Sequence, residues 1–94
     1  MSIAQVILSQ IKAIDGWAMS AWGAKDLVNI GNGLQFKTSG MTPWKGQVAV
    51  TYDEGADLYN IKFYRIRKAN VIVDKEIKGV YAEDLVSMID DFVG

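Results

Sequence analysis

From Asp26 to Lys78 the chain is a succession of short alternating runs, and no gap between them has room for a crossover helix. A parallel neighbour needs a connection of roughly a dozen residues or more, so these strands have to run antiparallel, each beside the one before it. The expected core of the molecule is therefore an antiparallel meander of about five strands.

The runs can be followed one by one. Leu27-Val28-Asn29-Ile30 leads into Gly31-Asn32-Gly33 and then Leu34-Gln35-Phe36-Lys37. Asn-Gly between alternating runs predicts a two-residue hairpin turn, with both Asn32 and Gly33 at positive φ. Leu34 and Phe36 share one face, Gln35 and Lys37 the other. Thr38 to Lys45 holds Gly40 and the only proline, Pro43, and reads as a loop. From Gln47 to Tyr52, Val48, Val50 and Tyr52 point one way and Gln47, Ala49 and Thr51 the other. Asp53 to Asp57 is a turn. In the long run Leu58 to Arg67, Tyr59, Ile61 and Phe63 line the core, while Lys62 and Tyr64 face out. Lys68-Ala69-Asn70 reverses the chain. Val71, Val73 and Ile77 then fall on one side, with Asp74, Glu76 and Lys78 on the other, and Gly79-Val80 ends the sheet.

Helical spacing brackets this meander. Ile3, Val6, Ile7, Ile11 and Ile14 form one stripe over Ser2 to Ile14. Ser2 and Gln5 match a capping box, and Gly16 suits a left-handed cap after Asp15. Trp17 to Ala24 fits either a short helix ending at Gly23 or a strand. Its composition favours helix, and its two tryptophans are expected to cap the core. Tyr81 to Val93 is a closing helix with the stripe Leu85, Met88, Ile89 and Phe92. Two striped helices and one apolar sheet face predict a single α+β domain over residues 1–94, both helices packed on the same face.

The missing residue types exclude much chemistry. The 94 residues contain no cysteine and no histidine. Disulfides, thiolate metal sites, a cysteine nucleophile and the commonest general base near neutral pH are all ruled out. The serines have no histidine to activate them. Gly31 and Gly33 lack the third glycine of a phosphate loop and open a strand rather than a helix. Asp53, Glu54 and Asp57 do not follow the spacing of a calcium loop and read as turn residues. No enzymatic activity and no cofactor is expected. The N-terminal MSIAQVILSQIK is too interrupted by polar residues for a signal-peptide core, and no run approaches the ~20 apolar residues of a membrane span. A cytoplasmic protein with no membrane partner is expected.

Three features suit a binding surface. Lys62, Arg65, Arg67 and Lys68 bring four cations within seven residues, with Tyr64 among them, which suits phosphates and a stacked base. Alternation puts Lys62 on the opposite face from Arg65 and Arg67, however, and cations on a strand also serve to prevent edge-to-edge pairing. Glu83, Asp84, Asp90 and Asp91 make the closing helix acidic, with no cation from Val80 to Gly94. Such a face suits either ordinary solvation or a basic partner, and it could complement the basic strand within the chain or in the second copy of a homo-oligomer. Trp44, beside Pro43, either stands exposed as a binding hot spot or folds back over the open end of the sheet. At a net charge of −1 the overall balance marks neither a nucleic-acid binder nor a nucleic-acid mimic.

Ala21-Trp22-Gly23-Ala24-Lys25-Asp26-Leu27-Val28, followed by Asn32-Gly33-Leu34-Gln35-Phe36-Lys37, resembles a pattern in small uncharacterised proteins of bacteriophages and other mobile elements, notably of gut bacteria. Asp57-Leu58-Tyr59 and Gly79-Val80-Tyr81-Ala82 resemble the same proteins, so the likeness runs from Ala21 to Phe92. It brings no catalytic residues with it. It implies an accessory protein whose partner is a host or phage protein, in the manner of inhibitors of host defence such as anti-CRISPR proteins. The expected function is a non-enzymatic protein-binding module, with a nucleic-acid-binding module built on strand 62–68 as the alternative.

Overall fold

In the computed structural model, which describes residues 2–94, the sheet is a five-stranded antiparallel meander in the order β1-β2-β3-β4-β5. The strands are β1 (Ala24–Asn29), β2 (Gly33–Thr38), β3 (Gln47–Asp53), β4 (Leu58–Arg67) and β5 (Asn70–Val80). Before them come α1 (Ile3–Ile14) and the short α2 (Ala18–Ala21). A single 3-10 turn, Ala82–Asp84, leads into α3 (Leu85–Val93). The expected α+β architecture is the observed one.

Local chemistry explains where α1 begins and ends. Ser2 Oγ accepts the Gln5 N–H at 3.1 Å and Gln5 Oε1 accepts the Ser2 N–H at 2.9 Å, completing the capping box. The C-terminus differs from expectation. Asp15 leaves the helix in an extended conformation, and its carboxylate accepts the Trp17 N–H at 2.9 Å, so no left-handed Gly16 is needed. The ambiguous segment resolves as helix. The helix stops at Ala21, two residues before the expected Gly23, whose φ of +61° lets the backbone turn into β1 against Gly40.

One face of the sheet carries the core. Phe36, Val48, Val50, Ile61 and Phe63 are wholly buried against Ile7 and Ile11 of α1 and Leu85, Ile89 and Val93 of α3. Each such side chain contributes about 1.5–3 kcal/mol by leaving water. Trp22, only 1% exposed, stacks parallel to Phe36 with centroids 6.0 Å apart. Trp17 does not join it: at 79% exposure it stands in solvent, because α2 is one turn long and buries only Ala18.

Two features of the sheet depart from the sequence expectation. In the first hairpin Asn29 pairs with Leu34, and Gly31, not Asn32 or Gly33, takes positive φ, at +88°. Gly33 instead lies in β2 opposite Thr51, where a Cβ would fall 2.0 Å from the Val50 carbonyl oxygen. Its missing side chain serves close strand approach, not the turn. In β5, Phe63 faces Lys75 but Tyr64 faces Val73, so Asp74 is an extra, bulged residue. The bulge inverts the facing of everything before it. Val71 and Val73 go to the open side with Ile66 and Tyr64, whereas Ile77 stays opposite Ile61 on the helix side. The alternation read from sequence, with Val71, Val73 and Ile77 on one face, is corrected accordingly.

Candidate functional site

No helix covers the second face of the sheet. Cross-strand register places Lys25, Gln35, Lys37, Gln47, Ala49, Thr51, Asn60, Lys62, Tyr64, Ile66, Val71, Val73 and Glu76 on it. Its centre is a trough of about 430 Å³ running from Ile30 and Gln35 to Val73 and Glu76. β3 makes its last pair with β4 at Gln47 and Tyr64, so the β4–β5 hairpin extends past the sheet as a two-stranded arm. On that arm Ile66 pairs with Val71, each 63% exposed, and Val73 follows at 51%. The arm closes through Lys68 and Ala69, at φ of +48° and +66°. Both central residues of such a turn take the left-handed conformation that Asn and Gly adopt at least cost.

Tyr64 has an unusual reach. Its hydroxyl donates to Gln35 Oε1 at 2.6 Å, and Gln35 is on β2, two strands away. Neighbouring strands lie about 4.8 Å apart, so the side chain has to cross β3 lying along the sheet. Beneath it the open-face residues of β3 are Gln47 and the small Ala49. The ring is half-buried there, so part of it remains open to solvent. Burial against the sheet raises the phenol's pKa, so it stays a neutral donor.

Beside this platform, where β2 ends, β3 begins and β4 leaves the sheet, Lys37, Lys45, Arg65 and Arg67 line a groove of about 460 Å³ with Gly46, Gln47 and Ile66. No carboxylate lines it. Arg65 is already engaged: its Nε and Nη2 donate to Asp74 at 2.6 and 3.0 Å. The Trp44 indole N–H donates to the same carboxylate at 2.8 Å. These donors, Arg65 first, hold the Asp74 carboxyl below its ordinary pKa. Among the described residues the only other ion pair is Lys62 with Glu76, at 4.0 Å. Lys37, Lys45 and Arg67 carry their charges without an ion-pair partner, and Lys25 sits directly opposite Lys37 across the β1–β2 ladder.

The loop that carries Lys45 is firmly held. The Thr38 N–H and hydroxyl both donate to the Gly46 carbonyl, at 2.9 and 3.3 Å, and the Gly46 N–H donates back to Thr38 Oγ1 at 3.0 Å. The Trp44 N–H donates to the Val93 carbonyl at 3.2 Å. The Trp44 ring meets Phe63 and Phe92 edge-on, at centroid distances of 5.7 and 5.2 Å. Of the two expectations for Trp44, the structure takes the second: the ring folds back on the sheet and is not a free hot spot.

The other residues singled out from sequence are dispersed. Lys62 and Tyr64 lie on the open face, Arg65 turns to Trp44 and Asp74, and Lys68 is in the arm's turn. Arg65 and Arg67 alone meet in the groove. On the far side of the molecule Glu83 and Asp91 are exposed and Asp84 is half-buried. Asp90 accepts the Trp22 indole N–H at 3.1 Å, so its carboxylate helps to hold α3 to the core. Lys25, Lys37 and Lys45 were missed, since they are distant from strand 62–68 in sequence; the register brings in Lys25 and Lys37, and the β2–β3 loop brings in Lys45. Across the described residues no cluster of three or more acidic side chains is arranged to hold a metal ion, and no helix is long and apolar enough to cross a membrane.

No protein-family model matches the chain, and no curated protein or solved structure is similar to it.

Proposed function

We propose that the protein is a non-enzymatic protein-binding module, an accessory protein of a phage or mobile element that docks on a host protein in the bacterial cytoplasm, such as a component of a defence complex. The observation that carries this reading is the apolar side of the β4–β5 arm, where Ile66, Val71 and Val73 stand more than half exposed with no helix above them. Contiguous exposed apolar residues with a polar rim mark interaction surfaces on soluble domains. Here the rim is Arg67, Lys68, Lys62 and Glu76. The lack of cysteine and histidine favours binding over catalysis, and the resemblance to phage-borne proteins favours a host partner.

The test compares the protein with a Val71→Glu/Val73→Glu variant as baits in host lysate, with melting curves recorded for both. The reading expects a partner recovered in stoichiometric amount by the protein and reduced at least roughly tenfold by the variant, since buried interface charges cost several kcal/mol. Both melting curves should agree, because the two valines lie at the surface. Recovery of no partner, together with a monomer in sedimentation, would overturn it. Equal recovery by the variant would move the docking surface elsewhere.

A further inference from the structure

We propose that the groove between Lys37, Lys45 and Arg67, with the Tyr64 platform beside it, binds single-stranded nucleic acid. The strand's phosphates would lie in the groove and a base would lie on the tyrosine ring. This is a second site beyond protein docking: Lys37 and Lys45 belong to it alone, while Ile66 and Arg67 border both surfaces.

Charge placement is the first support. Lys37, Lys45 and Arg67 converge from β2, the following loop and β4, and no carboxylate lines the groove that they share with Arg65. Like charges brought together without counter-ions repel each other, and like charges directly opposite on a ladder destabilise it, as Lys25 and Lys37 do. A bound polyanion removes that repulsion. The nearest acid on the arm, Asp74, cannot do so, because Arg65 and Trp44 already take both its oxygens.

Rigidity is the second support. Thr38 and Gly46 exchange three hydrogen bonds at the base of the loop. A Cβ on Gly46 would come within 2.7 Å of the Trp44 ring and 2.8 Å of the Tyr64 carbonyl oxygen, so the loop is closed down on β4. Lys45 is therefore presented from a fixed backbone, which lowers the ordering cost of binding.

The third support selects the kind of polyanion. The Tyr64 ring lies along the sheet with its hydroxyl tied down at Gln35, and its β3 neighbour Gln47 also lines the groove. A flat aromatic ring beside a positive groove suits a single strand, whose bases are free to stack while its phosphates follow the cations. A duplex keeps its bases stacked on one another and has no use for the ring.

Fluorescence anisotropy with a labelled oligothymidine of roughly twelve nucleotides, within the usual span for one small domain, tests this at low and rising salt. Binding at low salt is expected. The variant Lys37→Gln/Lys45→Gln/Arg67→Gln should bind at least roughly tenfold more weakly, with the slope of log K against log salt reduced by about 2. Tyr64→Leu should weaken binding roughly fivefold or more while leaving that slope unchanged. The control Lys12→Gln/Lys75→Gln/Lys78→Gln removes equal charge away from the groove and should change affinity less than about twofold. All variants should keep the native circular dichroism spectrum. No binding at low salt would overturn the proposal, and so would equal losses in the groove and control variants. Binding of tripolyphosphate without the oligonucleotide would overturn the strand in favour of a free polyphosphate. Loss of protein capture by the Val71/Val73 variant with oligonucleotide binding intact would separate the two sites.

Discussion

Trp44 and Asp74, thirty residues apart, meet through an indole N–H donated at 2.8 Å to the carboxylate that also grips Arg65. One carboxylate thus joins the β2–β3 loop, β4 and the bulge of β5. It exists in this position because the bulge turns Asp74 to the helix side, toward the Trp44 indole of the loop. The same bulge sends Val71 and Val73 to the open face, so one extra residue both braces the loop and exposes the arm.

The first prediction follows from that carboxylate. Its pKa is lowered in the folded protein, so its contribution is present above the ordinary carboxylate range and is lost as pH falls through the folded value. Asp74→Asn should lower the melting temperature at pH 7. The gap from the unaltered protein should close from about pH 4 downward, as Asp74 itself becomes protonated. A gap that persists at pH 2 would assign the effect to geometry instead of charge.

The second prediction separates packing from hydrogen bonding at Trp22. Trp22→Ala should cost about 3–5 kcal/mol in denaturant unfolding, since it removes a fully buried ring from the Phe36 stack. Asp90→Ala should cost only about 1 kcal/mol or less, because its side chain is solvent-exposed and a single hydrogen bond contributes little there.

Legibility from sequence had a clear physical boundary. The meander, the capping box of α1 and the closing helix could be read because each rests on local periodicity or short connections. The facing of Val71 and Val73 could not, since a single bulged residue inverts it and nothing in Val-Asp-Lys announces one. Gly33 was misread for a similar reason. Asn-Gly is a turn signal, but this glycine is required by the β3 backbone that passes it, and that approach is tertiary. The basic cluster was legible only in part. Arg65 and Arg67 were found by proximity in sequence, while Lys37 reaches the groove through register and Lys45 through the folding of the β2–β3 loop.

The two hairpin glycines give the third prediction. Gly33→Ala forces a methyl against the Val50 carbonyl and should destabilise the protein by several kcal/mol, on the order of 3. Gly31→Ala meets open space and should cost about 1–2 kcal/mol, the penalty of positive φ alone. Equal losses at both sites, measured by denaturant unfolding, would contradict the observed turn.

The arm's turn supplies the fourth. Lys68→Asn/Ala69→Gly puts the residues that favour positive φ where Lys and Ala now stand. The double variant should gain about 1 kcal/mol, a rise in melting temperature of about 4–8 °C for a domain of this size. An unchanged melting temperature would mean that the turn is not strained.

The central claim is that the uncovered face of the sheet, and not the acidic helix behind it, meets the partner. A photoreactive residue introduced at Val71 tests it most directly when compared in host cells with one at Ser87, an exposed position on α3. Cross-linked adducts from position 71 and none from position 87 are predicted. Adducts from position 87 alone would place the working surface on the helices and contradict the account.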